Sequence, residues 1–327
     1  MMSTSFFDKP AEEQTDSLTL FARQILSKYG IKDAEVECIN FEFNATFSVT
    51  TDSGQRYALR LNINSTRNEA NIMAEVQWVR ALSRVAGINV PSPIATLDDQ
   101  FVVSALHAES QQMIYGVMYS WLEGEEIGDE PTLEQLNLVG RSIALMHEHS
   151  IDFALEENAQ LPTFDDFFWG TEDYLFSEKS SLLPEHRDAI QRAHDLIMKY
   201  TKELYAESLV HIIHADYHGW NLMWHEGQLS IFDFDDCGFG VEAQDLAVAL
   251  YYLDTPEQDA ALLEGYKSVR PLPVYSENAM KALLLQRRLL LLNYLFETKN
   301  AEHKEMLPAY LDKSMERVSA FLTDVTQ

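Results

Sequence analysis

Positive charge is scarce in this chain: 24 Lys and Arg stand against 52 Asp and Glu, a formal net charge of −28 over 327 residues. A field of that sign works against nucleic acid and anionic membrane surfaces as partners. It mildly favours a cationic or amine-bearing small molecule, although acidity that serves only solubility accounts for it as well. An anionic ligand would need local cations or a divalent metal to offset the field. Cysteine is nearly absent. Cys38 and Cys237 lie far apart and form no disulfide framework. The N-terminus, MMSTSFFDKPAEEQ, has no basic start followed by an apolar core, so the expectation is a cytoplasmic, reduced protein without a secretory signal. Long apolar runs are missing too. The richest, Leu283 to Leu295, is interrupted by Gln286, Arg287, Arg288 and Asn293 and reads as a buried helix, not a membrane span.

Hydrophobic residues at 46% and charged residues at 23% are ordinary for a globular protein with one large domain or two modest ones. Residues 16–29 place Leu18, Leu20, Phe21, Ile25 and Leu26 at helical spacing, with Gly30 as the stop. The period then shortens. Val36–Phe43, Ala45–Thr51 and Arg56–Asn62 read as strands, the last two joined at Asp52-Ser53-Gly54. A helix over Thr66–Val85 and strands over Phe101–Leu106 and Met113–Leu122 complete an antiparallel sheet with one inserted helix. Beyond Leu122 the pattern turns helical: Leu133–His147 opened by Thr132, then 184–206, Ala243–Leu253, Pro256–Tyr266 and Asn278–Lys299. Val210–Asp236 is the exception, with two short strands around Glu226-Gly227. The expected class is α+β, with an N-terminal lobe over 1–118, a hinge over 119–124 and a helical C-terminal lobe over 125–327.

The chemistry concentrates in HIIHADYHGWNLMWHEGQLSIFDFDD, residues 211–236. It holds His214-x-Asp216, then Asn221, then a hairpin that delivers Asp233 at a strand end. Phosphoryl transfer needs metal ions on the phosphates and a carboxylate that orients the attacking hydroxyl and takes its proton. A loop Asp and Asn with a second Asp alongside supply that set. Asp216 is the expected base, and Asn221 and Asp233 the expected Mg²⁺ ligands through hard oxygens. Strand alternation would put Asp235 on the face of Asp233, as a further metal ligand or as a solvated acid. Four histidines, His211, His214, His218 and His225, allow a competing reading as a transition-metal hydrolase.

His214–Asn221 and Ile231–Asp235 resemble the catalytic and metal-binding motifs of the aminoglycoside phosphotransferase-like kinases, a group that includes homoserine kinase type II and choline kinases. Gly238-Phe239-Gly240 and Asp245-Leu246-Ala247 are similar to that family as well. The resemblance implies a two-lobed protein kinase-like fold, ATP and Mg²⁺ as cofactors, and a small-molecule acceptor. It implies that Asp245 braces the catalytic loop, and that Arg60 in Tyr57-Ala58-Leu59-Arg60-Leu61 holds the α- and β-phosphates. Glu75 or Glu69 would pair with Arg60, Glu75 fitting the family helix better. Asn44 and Thr46 would stand where protein kinases carry a Gly-rich phosphate loop, with an ordinary hairpin as the alternative. Tyr119 and Trp121 would lie in the hinge near adenine. His218 and the segment with Asp165, Asp166 and Trp169 are candidates for the acceptor, by charge and cation–π contact. Aminoglycoside, homoserine, choline-like amine and amino sugar all fit.

Two further readings compete. A protein Ser/Thr kinase would carry His-Arg-Asp, Asp-Phe-Gly and Ala-Pro-Glu, where this chain has His-Ala-Asp and Asp-Phe-Asp and no Ala-Pro-Glu follows. A non-catalytic nucleotide-binding regulator would lack a catalytic group, and Asp216, Asn221 and Asp233 are all present.

Overall fold

A computed structural model describes residues 5–298 and 300–325. In chain order its elements are α1 (Ala11–Leu26), β1 (Ala34–Phe41), β2 (Asn44–Thr51), β3 (Arg56–Asn62), α2 (Glu69–Leu82), β4 (Val102–His107), β5 (Gln112–Ser120), β6 (Glu125–Glu126), α3 (Leu133–Ile151), α4 (Pro184–Glu207), β7 (His211–Ile213), β8 (Leu222–His225), β9 (Gln228–Ile231), β10 (Gly238–Gly240), α5 (Glu242–Tyr251), α6 (Pro256–Lys267), α7 (Glu277–Glu297) and α8 (Ala301–Val325). They fall into two compact units. The first takes the chain up to Glu125 with Ala154–Leu161 and Met223–Asp235; the second takes Glu126–Phe153, Pro162–Leu222 and the chain from Asp236 on.

The first unit is built on an antiparallel sheet in the order β1-β2-β3-β5-β4. Its register sorts the side chains by chemistry. Ala45 faces Leu61 and Phe47 faces Leu59 on one side, and this side packs beneath Leu18, Phe21, Ala22 and Ile25 of α1. Each buried Phe or Leu there contributes about 1.5–3 kcal/mol. The alternate positions pair Asn44 with Asn62 and Thr46 with Arg60, so the opposite face is polar. α2 begins at Glu69, later than the spacing suggests, because extended Asn68 and Asn71 cap it reciprocally. It buries Glu75 and Trp78. The β8–β9 hairpin turns on Glu226 (φ +47°) and Gly227 (φ +83°), the paired positive values of a two-residue hairpin loop. Past it, buried Phe234 packs edge-on against Trp78 at 5.5 Å, which anchors the segment carrying Asp233 and Asp235 to α2.

The second unit is helical apart from the small antiparallel pair β7–β10. α7 is enclosed on nearly all sides, with Ala282, Leu283, Leu289 and Leu292 in the core. Its polar residues therefore need partners inside the protein. Asn293 accepts from the Tyr174 amide at 2.8 Å, Arg288 reaches the Tyr310 carbonyl at 3.1 Å, and Gln286 donates to the Phe167 carbonyl at 3.0 Å. The end of the expected helix at Lys299 lies outside the described residues. α3 runs on to Ile151, past the expected stop at His147. α8 has no counterpart in the sequence-based expectation, and it carries Pro308 inside it. No helix among the described residues is long and apolar enough to cross a membrane.

Candidate active site

In the second unit, β7 delivers the chain into a loop shaped by one buried carboxylate. Asp245, in the first turn of α5, accepts the Ala215 N–H at Oδ1 (2.6 Å) and the His214 N–H at Oδ2 (3.2 Å). Its Oδ2 also lies 2.9 Å from His147 Nε2. These bonds hold Ala215 in left-handed backbone at φ +66°, a conformation that a residue with a Cβ adopts only when its surroundings impose it. Burial pushes the His147 pKa down, against the pull of Asp245. Asp245→Asn would set an amide NH₂ against donors that now meet a carboxylate. An unsatisfied buried donor costs about 1–3 kcal/mol. The expected result is a lower melting temperature and a loss of turnover, measured by thermal unfolding and steady-state kinetics.

Asp216 follows Ala215, and both of its oxygens are occupied. Arg287 Nη2 donates to Oδ1 in a close ion pair. Asn221 Nδ2 donates to Oδ2 at 2.8 Å and to the Asp216 carbonyl at 3.0 Å, and His218 Nε2 lies 3.2 Å from Oδ2. Burial alone would raise the Asp216 pKa; the Arg287 guanidinium, then His218 and His214, hold it well below the usual carboxylate range. Asn221 is placed by the turn Gly219–Asn221, which needs glycine at its start. A Cβ on Gly219 would come 1.7 Å from the Gly128 carbonyl oxygen. Since Asn221 uses its amide nitrogen on Asp216, its amide oxygen is turned away from that carboxylate.

The first unit gathers the other candidates on the polar face of its sheet. Arg60 forms a buried ion pair with Glu75, and the Tyr119 hydroxyl donates to Glu75 Oε1 at 3.1 Å. The exposed Glu69 meets the Tyr115 hydroxyl at 3.5 Å, and Glu75 is the partner of Arg60. Asp235 accepts from Asn44 Nδ2 at 3.1 Å and Ser65 Oγ at 3.3 Å, and its Oδ1 stands 3.9 Å from Arg60 Nη2. Thr46 lies opposite Arg60 in the β2–β3 register. Trp121 lies apart from this group, under Arg56 at 3.8 Å. Asp233 is exposed and has left-handed backbone at φ +59°. β9 ends at Ile231. The expected strand alternation from Asp233 to Asp235 therefore does not apply, because the backbone between them is no longer extended.

The donor set fits a nucleotide with a hard divalent cation. Asn44 Oδ1 and Asp235 Oδ1 are enclosed oxygens without a hydrogen-bond partner, of the kind that Mg²⁺ takes. Among the described residues, no three His, Cys, Asp or Glu side chains gather as a metal cluster, which does not favour the transition-metal reading of the histidines. Asp166 Oδ1 caps its own turn by accepting the Phe168 amide at 2.8 Å, and Asp165 is exposed. Trp169, at φ +54°, stacks on Phe164 at 4.9 Å and packs on the cluster of Phe164, Ile213 and Ala215, with its indole nitrogen enclosed and unpaired. Sequence reasoning missed Arg287, Tyr252 and Ser65. The signal for Arg287 was available, since an Arg inside an apolar helical run needs a buried partner.

The phosphotransferase enzyme family matches residues 41–277. Amicoumacin kinase of Bacillus subtilis (strain 168) is 25% identical over 304 residues, spanning 87% of this chain and 88% of that protein. The structure of a microcompartment-associated aminopropanol kinase superposes with a TM-score of 0.79 at 24% identity, covering 93% of this chain and 98% of that one. A spectinomycin phosphotransferase follows the same fold at a TM-score of 0.58 and 15% identity, over 92% and 98% of the two chains. The match over most of the length, together with the kinase-like fold, shows that this chain belongs to the phosphotransferase enzyme family.

Proposed function

We propose that the chain transfers the γ-phosphate of ATP, with Mg²⁺, to the hydroxyl of a small amine-bearing alcohol. The observation that carries this reading is the setting of Asp216, a half-buried carboxylate ion-paired with Arg287 and bound by Asn221 and His218. Arg60, oriented by Glu75 and Tyr119, would bind the phosphates as a buried guanidinium. Asn221, Asp233 and Asp235 would hold Mg²⁺, and Asn44 donates to Asp235. The bound metal supplies charge neutralisation on the transferring phosphate oxygens. Asp216 would accept a hydrogen bond from the acceptor hydroxyl and orient it. A carboxylate this acidic takes the proton late, which suits a loose transition state that asks more for alignment than for a strong base.

The amine in the acceptor is supported by the acidic balance of the chain and by the relatives, one named for amicoumacin and one for aminopropanol. A peptide acceptor is disfavoured because β10 follows the Asp233–Asp235 segment closely and pairs with β7, leaving no long activation segment.

Thermal unfolding with Mg-ATP, with ATP and EDTA, and with Asp233→Ala tests the nucleotide side. A ligand at a hundred times its dissociation constant stabilises by about 2.7 kcal/mol. A Mg²⁺-dependent rise in melting temperature is expected, and Asp233→Ala should lose it. An equal rise in EDTA would contradict the metal assignment. Amino alcohols assayed beside their des-amino counterparts test the acceptor, and equal turnover of both would remove the amine from the reading.

A further inference from the structure

We propose that Arg287, from the middle of α7, is the positioning residue for Asp216 and selects the carboxylate oxygen that receives the acceptor hydroxyl. This inference rests on the phosphotransfer reading above. A carboxylate offers about four lone-pair sites, two on each oxygen. On Asp216, Oδ2 is filled by Asn221 and His218, and among the described residues Oδ1 carries only Arg287. The acceptor therefore has one place to bind without displacing a protein donor: the second lone pair of Oδ1, beside the guanidinium. Arg287 fixes where that lone pair points.

The surroundings are built to hold Arg287 in this role. Its residue is 8% exposed, and Nη2 also donates to the Tyr252 hydroxyl at 2.7 Å. The Tyr252 ring lies 5.3 Å from the His218 ring, so Asp216, Arg287, Tyr252 and His218 close a circuit around one carboxylate. The neighbouring Gln286 donates to the Phe167 carbonyl at 3.0 Å, which pins this turn of α7 to the segment bearing Trp169. A lysine could supply the charge, but its freely turning ammonium lacks the fixed, in-plane direction in which Nη2 presents its two hydrogens to Asp216 and Tyr252.

The test uses the full-length protein as Arg287→Ala, Arg287→Lys and Tyr252→Phe, with turnover, KM for ATP and the Mg-ATP thermal shift as readouts. Misplacing a reacting group by about 1 Å costs on the order of 100-fold in rate. Arg287→Ala is expected to lose about that much in kcat and to keep its KM for ATP and its Mg-ATP shift. Arg287→Lys should recover little. Methylguanidinium in solution should restore part of the Arg287→Ala turnover and none of Asp216→Asn. Tyr252→Phe, which deletes one hydroxyl, should show a smaller fall in kcat. Wild-type turnover in Arg287→Ala would overturn the inference. Loss of both turnover and the Mg-ATP shift, without methylguanidinium rescue and with Tyr252→Phe unaffected, would do so too, because it marks a merely structural arginine. If the wild-type protein binds Mg-ATP but phosphorylates no hydroxyl, the parent reading falls, and this inference falls with it.

Discussion

Asp216→Asn is expected to lower turnover by about 10²–10⁴-fold, the range that a positioned general base contributes, while Mg-ATP affinity stays near the wild-type value. The substitution is nearly isosteric, so the loop should keep its shape. Its backbone is set elsewhere, by Asp245 on the amides of His214 and Ala215. What changes is the charge and the number of acceptor lone pairs. An amide at this position has one oxygen to share among Arg287, Asn221, His218 and the incoming hydroxyl, where the carboxylate has two. Arg287 also loses its counter-charge in a nearly closed site, a cost in stability that unfolding measurements will report. Initial rates at saturating ATP, beside ATP binding by calorimetry, separate the two effects. Turnover close to wild type would show that another group orients the acceptor.

Arg60→Met carries the second large effect, and it strikes stability and nucleotide binding together. Arg60, Glu75 and Tyr119 are all buried, and the guanidinium is the cation in contact with the Glu75 carboxylate. Removing one partner of a buried pair leaves an uncompensated charge and typically costs about 3–5 kcal/mol. On the function proposed above, a phosphate ligand is lost in the same step. A double variant, Arg60→Met with Glu75→Leu, distinguishes the two consequences. Replacing a whole buried pair by apolar residues is often neutral, so denaturation should return close to the wild-type midpoint while ATP binding stays weak. Recovery of ATP binding in the double variant would show that Arg60 serves the fold alone.

The sheet was readable because its apolar and polar positions alternate cleanly. The run Arg56–Asn62 matches β3 end to end, and the buried Leu59 and Leu61 alternate with the polar Arg60 and Asn62. The loop carboxylates were readable for a different reason, since His214, Asp216 and Asn221 lie within one short stretch. Asp233 and Asp235 marked the limit of that logic. A period of two holds only while the backbone stays extended, and a left-handed Asp233 ends it. The preference for Glu75 over Glu69 rested on resemblance to the family helix, and the burial of Glu75 against Arg60 gives it a physical reason. Arg287 was hidden by distance along the chain. Its partner lies seventy-one residues away, and helical spacing reports that a polar residue is buried without naming what it meets. The membership of residues 154–161 in the first unit was invisible for the same reason: Asn71 holds the Gln160 carbonyl, and no local pattern records it.

Phosphorus NMR of a mixture of ATP, Mg²⁺ and an amino alcohol, with wild-type protein and with Asp216→Asn, tests the central claim most directly. The account predicts a new phosphate-ester signal that grows as ATP is consumed with wild type. It should be nearly absent with Asp216→Asn, even though that variant still shows the Mg-ATP thermal shift. An ester formed as fast by the variant, or ATP consumed to inorganic phosphate alone across the acceptor panel, would contradict it.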